Sequence, residues 1–333
     1  MSSRLALRGA ALLAAALVVT SCGNDSSDND AASSGSSSSS SSAFPVSVDT
    51  MFGSVEVKTQ PKRVVALGWS DAETALALGV QPVGASDWLG FGGEGVGPWA
   101  AGKYDKAPTI IQTLEPSYEQ IAALKPDLIL DTRSSGDQAR HDQLSRIAPT
   151  IEPPKGGAQY LTSWEQQLDM VGKALGKSDE AGKLKSDVEQ AFADAKEAHP
   201  EFDGKSVVVG TRTSETYGAY VDGDSRVDFM QQLGFKNSPK IQSLSNGKSF
   251  SVDISNEQLP LLDADLTVMF PIFIDAGTIT GDPLFQAVPS VQAGHSVVLT
   301  DKDLVNAFSS GDVLGIRYAL DKAVPQFADA LAK

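Results

Sequence analysis

The sequence predicts an α/β fold of two halves joined through one long helix, and three observations carry it. Short apolar runs alternate with helical patterns from about residue 46 to residue 151. The alternation lapses between residues 164 and 198, where helices follow one another without a strand, and it resumes after Gly204. Alternating strands and helices imply mainly parallel sheets covered on both faces.

The elements follow in order. Two antiparallel-looking stretches, Val46–Asp49 and Ser54–Thr59, flank Phe52-Gly53. Arg63-Val64-Val65-Ala66-Leu67, between Pro61 and Gly68, reads as a short buried strand. Asp71 to Leu78 is a helix ended by Gly79. Gln81 to Ala85 is a strand, Tyr118 to Leu124 a helix stopped before Pro126, and Asp127–Asp131 the next strand. His141 to Ile147 is helical and Thr150-Ile151 follows it. Trp164 to Leu175 and Glu180 to Ala198 form the connector. In the second of these, Ala181, Leu184, Val188, Ala191, Ala195 and Ala198 make one apolar stripe at spacings of three or four. The last half contains Ser206–Gly210, Val227–Leu233, Glu257–Leu262, Asp265–Phe270 and Ser296–Thr300, then a terminal helix from about Val313. Residues 117–128 and 255–266 both read S-x-E-Q-(I/L)-x-x-L-x-x-D-L, an internal echo that suggests two related lobes.

The N-terminus is of another kind. Arg4 and Arg8 precede the uncharged apolar run Ala10 to Val19, which closes on Val19-Thr20-Ser21-Cys22-Gly23. A charged start and a short apolar stretch describe an export signal, whereas a spanning helix needs about 20 apolar residues. The residues around Cys22 resemble a bacterial lipobox, which implies that Cys22 is acylated and anchors the mature chain to the outer face of a membrane. Cys22 is the only cysteine, so no internal disulfide forms. The chain then runs to Ser42 in small and polar residues, with serine from Ser33 to Ser42 broken only by Gly35. Such a tract buries nothing and reads as a flexible tether. The expected organisation is a signal over 1–21, the tether over 22–45, an N-terminal lobe over 46–162, a helical connector over 163–203 and a C-terminal lobe over 204–333.

The full chain has 27 Lys and Arg against 42 Asp and Glu. Without residues 1–21 the formal charge is near −17, because only Arg4 and Arg8 are removed. That balance argues against a nucleic-acid partner, whose phosphates need a basic footprint. It also requires any anionic ligand to be held by a local cluster of positive charge.

Several segments resemble the substrate-binding proteins of ABC importers for ferric siderophores, haem and cobalamin. They are Gly53 with Pro61-Lys62-Arg63-Val64-Val65-Ala66-Leu67, Ala77-Leu78-Gly79-Val80-Gln81-Pro82-Val83-Gly84, Leu124-Lys125-Pro126-Asp127-Leu128-Ile129, Leu144-Ser145-Arg146-Ile147-Ala148-Pro149-Thr150 and Met230-Gln231-Gln232-Leu233-Gly234-Phe235. The resemblance runs from about Val46 to the C-terminus. It implies two Rossmann-like lobes bridged by one long helix, with the ligand in the cleft between them. The implied function is to bind a ferric siderophore outside the cytoplasmic membrane and deliver it to an ABC permease with its ATPase. Haem or cobalamin binding, or an envelope-tethered interaction module no longer coupled to transport, are the alternatives. The protein is expected to be a monomer, to need no cofactor, and to carry iron only as the chelate.

Candidate site residues follow from strand ends, where open α/β sheets bind ligands. Arg133 follows the strand Asp127–Asp131, and the resemblance implies that it touches an anionic chelate; Arg226 matches a second such arginine in the other lobe. Alternatively each is a solvated arginine paired with Asp131 or Asp224. Where the family often has a third cleft arginine this chain reads Phe270-Pro271-Ile272-Phe273, which speaks against a highly charged tris-catecholate; Arg212 is a substitute. Trp69, Trp88, Tyr217, Phe273 and Phe308 begin loops and are candidate flat walls, though each alone is more often a core side chain; Trp69 and Trp88 are the better candidates because both follow short apolar runs. Gly90-Phe91-Gly92-Gly93-Glu94-Gly95 satisfies G-x-G-x-x-G, but Gly97-Pro98 follows it instead of a helix start, so it reads as a cleft loop carrying Trp88, Phe91 and Trp99. His141, His199 and His295 have no zinc-site spacing, and no G-x-S-x-G elbow occurs, so catalysis finds no support. Glu119 and Glu257 share one position in the echo, and the resemblance implies that they dock the permease, with Glu73 as alternate in the N-lobe.

Overall fold

The computed structural model describes residues 44–333. The export signal, Cys22 and nearly all of the tether lie outside the described residues. The hairpin β1 (Val46–Thr50) and β2 (Gly53–Val57) opens the fold, with Val46 opposite Val57. Next come β3 (Val64–Ala66), α1 (Asp71–Ala77), β4 (Gly84–Ser86), β5 (Thr109–Ile111), α2 (Tyr118–Ala123), β6 (Leu128–Leu130), α3 (Gln138–Leu144) and β7 (Thr150–Ile151). The five strands β3 to β7 make one parallel sheet in the order β5-β4-β3-β6-β7.

The connector helices are α4 (Trp164–Ala174) and α5 (Ser178–Ala198). Ser163 and Gln166 cap α4 reciprocally, which fixes its start. In α5 the buried side chains are Ala181, Val188 and Phe192; Phe192 lies outside the alanine stripe and meets Phe229 edge to face at 5.2 Å. Ala198, the last member of the stripe, is exposed.

A second sheet follows from β8 (Ser206–Arg212), β9 (Tyr217–Tyr220), α6 (Ser225–Gln232), β10 (Lys236–Asn237), α7 (Pro239–Gln242), β11 (Ser251–Ile254) and β12 (Leu266–Pro271). The short helices α8 (Gly277–Thr280), α9 (Pro283–Gln286) and α10 (Pro289–Gln292), then β13 (Ser296–Val298), α11 (Lys302–Ser310) and α12 (Val313–Leu331), complete the chain. The sheet order is β11-β9-β8-β12-β13, with β10 also paired to β8. The architecture is therefore α/β with two sheets, and its largest buried cluster runs through both halves from Val64 and Leu168 to Val209 and Phe327.

The internal echo has a structural counterpart. β3, β6 and β7 neighbour one another as β8, β12 and β13 do, all parallel. The echoed aspartates do the same work: Asp127 accepts from the backbone N–H of Lys62 and Arg63 (2.9 Å each), and Asp265 accepts from that of Ser206 (2.8 Å). Each carboxylate thus ties the start of the neighbouring strand. The halves differ where the antiparallel strands β9 and β11 extend the second sheet. The segment Glu257–Leu262 is a 3-10 turn (Asn256–Leu262), because Pro260 within it has no N–H to donate. Helix α3 begins three residues before His141, where the Asp137 side chain accepts from Arg140 N–H at 2.9 Å and caps it.

Candidate ligand-binding cleft

Because β3, β4 and β6 are parallel, the residues that follow them emerge along one edge of their sheet. These are Trp69, Trp88 and Arg133. Trp69 stacks between Trp88 (centroids 4.5 Å apart) and Tyr160 (4.2 Å). Phe250, from the segment before β11, meets Trp69 at 5.7 Å and Tyr160 at 6.2 Å, edge to face. Offset and edge contacts of this kind suit ring quadrupoles. The wall therefore joins both halves of the molecule.

Arg133 lies over the rings of Trp69 and Trp88, at 5.8 and 6.0 Å. It is buried, and it donates from Nε to Tyr160 O (3.1 Å), from Nη1 to Ser310 O (2.9 Å) and from Nη2 to Ser225 Oγ (2.9 Å). Two of these three acceptors belong to the second half, so Arg133 bridges the halves, a role the sequence did not assign. It is neither solvated nor paired with Asp131. Burial pushes its guanidinium down to about 10 against the pull of Asp224. Gly311 makes room for it: with φ +58°, a Cβ there would stand 2.9 Å from Arg133 Nη1.

A buried network holds Trp69 and Arg133 in register. Trp69 N–H donates to Arg133 O (2.9 Å), and Gln167 Nε2 donates to Trp69 O and to Asp71 Oδ1 (2.8 Å each). Asp71 also accepts from Thr132 N–H (3.0 Å) and from the Thr132 hydroxyl. Burial pushes the Asp71 carboxyl up to about 6. Gly68 is required here, since a Cβ would collide with the Asp71 carboxylate and stand 2.9 Å from the Arg133 backbone N.

Behind Arg133, Asp131 holds Arg140 through two bonds of 2.7 and 2.8 Å, and Glu152 lies beside them with His141 Nδ1 at 3.2 Å. Burial, then the charge of Asp131, push Glu152 from 4.5 up to about 9. A carboxyl raised on folding stabilises the fold fully below its ordinary range and loses that contribution as pH climbs through its folded value. Stability should therefore fall between about pH 5 and 9 with a slope of up to about 1.4 kcal/mol per pH unit. Glu152→Gln should flatten that slope in urea melts across the range; an unchanged slope would assign the titration to another group.

In the second half, Arg226 is buried with its guanidinium 3.8 Å from the Tyr220 ring centroid and 5.9 Å from that of Phe270. It contacts Asp224 at 3.2 Å, as one sequence alternative held, though buried and without hydrogen-bond geometry. Its Nε is the atom that stands 3.2 Å from Asp224, whereas the Nε1 of Trp88 is a buried N–H group with no acceptor among the described residues. Buried donors are rarely left so.

The family model for the periplasmic binding protein matches residues 64–303. The chain belongs to the periplasmic binding protein family. A probable siderophore-binding lipoprotein of Bacillus subtilis, YfiY, is 30% identical over 296 residues, 80% of this chain and 83% of that one. The Fe(3+)-citrate-binding protein YfmC of the same organism is 27% identical over 267 residues, 77% and 78% of the two chains. Among solved structures, Streptococcus pneumoniae PiaA in complex with ferrichrome superposes with a TM-score of 0.75 at 25% identity, covering 86% of this chain and 99% of PiaA.

Other candidates fall elsewhere in this family's fold. Tyr217 and Phe308 are core residues: the Tyr217 hydroxyl donates to Asp282 (2.8 Å), and Phe308 packs between Phe229 and Phe327. Tyr217 and Tyr220 are three apart on β9 and point to opposite faces. Arg212 stacks on Tyr217 at 4.6 Å and is thereby drawn away from Arg226. Phe273 is fully exposed, with φ +57°, beyond the end of β12. Glu73 is buried, and burial with the charge of Asp312 pushes its carboxyl well above the usual range, so it offers no docking charge. The Gly90–Gly95 loop is organised by Asp87, which accepts from Phe91 and Gly92 N–H (2.8 Å each), and a 3-10 turn (Pro98–Ala100) follows it. Trp99 packs on Tyr318 of α12 at 5.6 Å rather than joining the Trp69 stack. Tyr160, Phe250 and Tyr220 are the wall residues the sequence reading missed. Aromatic rings just after Gly156-Gly157 and Asn246-Gly247 were the available signal for the first two.

Proposed function

We propose that the protein binds a ferric siderophore in this cleft, outside the cytoplasmic membrane, and delivers it to an ABC permease for iron uptake. It acts as a binding protein and not as an enzyme. The observation that carries the reading is the flat aromatic wall of Trp69, Trp88, Tyr160 and Phe250, beside which Trp88 Nε1 is a buried donor without an acceptor among the described residues. A chelate presents flat arms and oxygen acceptors, which are the complements of both. The names of YfiY and YfmC point to the same class of ligand.

Titration of tryptophan fluorescence with a panel of ferric chelates, haem and cobalamin tests it. Sub-micromolar quenching by a ferric chelate is expected. Quenching only by haem or cobalamin, or by nothing in the panel, would overturn the reading. Arg226→Ala should weaken binding by roughly 10- to 100-fold, since a hydrogen bond to a charged group contributes about 1.5–3 kcal/mol. Unchanged affinity would remove Arg226 from the site.

Delivery needs an anchor and a docking face. Cys22, outside the described residues, is the proposed acylation site. Cys22→Ser should move the protein from the membrane fraction to the medium, because two acyl chains bind stably where one is marginal. Membrane retention of that variant would exclude the lipid. Glu119 and Glu257 are the proposed docking residues, one in each half.

A further inference from the structure

The fixed charges of the cleft limit which chelate it takes. Its positive groups are the guanidiniums of Arg133 and Arg226, and neither lacks a countercharge. Asp224, buried at the start of α6, contacts Arg226 at 3.2 Å and accepts from its backbone N–H at 3.0 Å. Arg133 has committed three of its five N–H groups to Tyr160, Ser310 and Ser225. Asp228, one helical turn beyond Asp224, and Asp71 are further carboxyl groups near Arg133. Burial and Asp224 push the first up to about 7, and burial pushes the second up to about 6, so both are partly ionised at neutral pH.

Among the described residues no third guanidinium corrects the balance. Arg212 is held on the opposite face of β9, and Phe270 to Phe273 occupy the end of β12. Lys302 donates to Gly90 O at 3.2 Å, and Lys248 is exposed, where solvent screens its charge. The Asp224 contact with Arg226, together with Asp228 and Asp71 whose charges act on Arg133, offsets the two guanidiniums and leaves the cleft with little net charge.

We propose that the cleft selects ferric chelates whose iron centre carries no net charge, the tris(hydroxamate) class, over tris(catecholate) trianions. Three hydroxamates lose one proton each and balance Fe(III), whereas three catecholates lose two each and leave three negative charges. A neutral chelate still offers oxygen acceptors to Trp88 Nε1 and Arg226 and flat surface to the aromatic wall. A trianion would meet no matching positive charge there, and the carboxylates of Asp224, Asp228 and Asp71 would oppose it. The inference rests on the reading that the ligand is a ferric chelate.

The test is a fluorescence titration of the intact protein with one ferric tris(hydroxamate) and one ferric tris(catecholate), each at low and high salt. The hydroxamate should bind roughly 100-fold tighter or more, with an affinity that salt does not move. Asp228→Asn, which makes the cleft more positive, should narrow the gap by about tenfold. Equal or tighter binding of the catecholate would overturn the charge selection and leave the chelate reading standing. Binding of neither would overturn that reading first, and the selection with it.

Discussion

Arg140→Ala is expected to destabilise the protein by about 3–5 kcal/mol at pH 7. Asp131 has no exposed surface, and its carboxylate is matched by the Arg140 fork at 2.7 and 2.8 Å. Arg140 also donates from Nη1 to Thr113 O at 3.2 Å, so it ties β6 to the segment after β5. Without the guanidinium, a buried charge stands uncompensated beside Glu152, and the cost of breaking a buried pair exceeds its net worth when intact. Urea melts of parent and variant measure it, with Arg140→Met as a control for lost volume. A loss below about 1 kcal/mol in both variants would mean that water or a rearranged side chain replaces the pair.

The fold class was legible because strands such as Val64–Ala66 and Leu128–Leu130 are short, wholly apolar and bounded by Pro, Gly or Asp. Two- to four-residue strands such as β10 and β11 were not, since Lys236-Asn237 and Ser251–Ile254 carry no apolar run and pair only because β8 and β9 already stand beside them. The candidate site divides the same way. Trp69, Trp88 and Arg133 follow strands that periodicity exposes, so their convergence was readable. Tyr160 and Phe250 sit in irregular segments whose course is set by long-range contacts, such as Tyr160 N–H to Ser134 O at 2.9 Å. Reading Tyr217 as a loop start misplaced it, because it opens β9 and side-chain parity sends it to the face opposite Tyr220. The inter-half bridging by Arg133 had no sequence signal, since it depends on carbonyl and hydroxyl groups at Ser310 and Ser225.

Glu119→Ala combined with Glu257→Ala is expected to abolish chelate-dependent uptake while cleft affinity stays unchanged. The topology places both residues alike. α2 follows β5, a strand parallel to β4, so Glu119 begins a helix at the carboxyl edge of the first sheet. β11 is antiparallel to β9, and β9 to β8, so β11 runs with β8, and Glu257 opens the 3-10 turn at the corresponding edge of the second. Both side chains are exposed, and each accepts from its capping serine, Glu119 from Ser117 Oγ at 3.3 Å and Glu257 from Ser255 Oγ at 2.8 Å. The Ser255 hydroxyl holds the Glu257 carboxyl below its ordinary range, so it stays charged. Local capping would account for either residue alone, and a carboxylate in a first turn contributes at most about 1 kcal/mol. The docking proposal rests instead on the pair standing at matched edges of two sheets, where two similar permease subunits would each meet one carboxylate. If each glutamate forms one charge-assisted contact, losing both should weaken docking by roughly 100-fold or more. Uptake in cells, fluorescence titration and thermal melts separate the outcomes. Lost chelate binding would make the residues structural, and normal uptake would place the docking face elsewhere on the molecule.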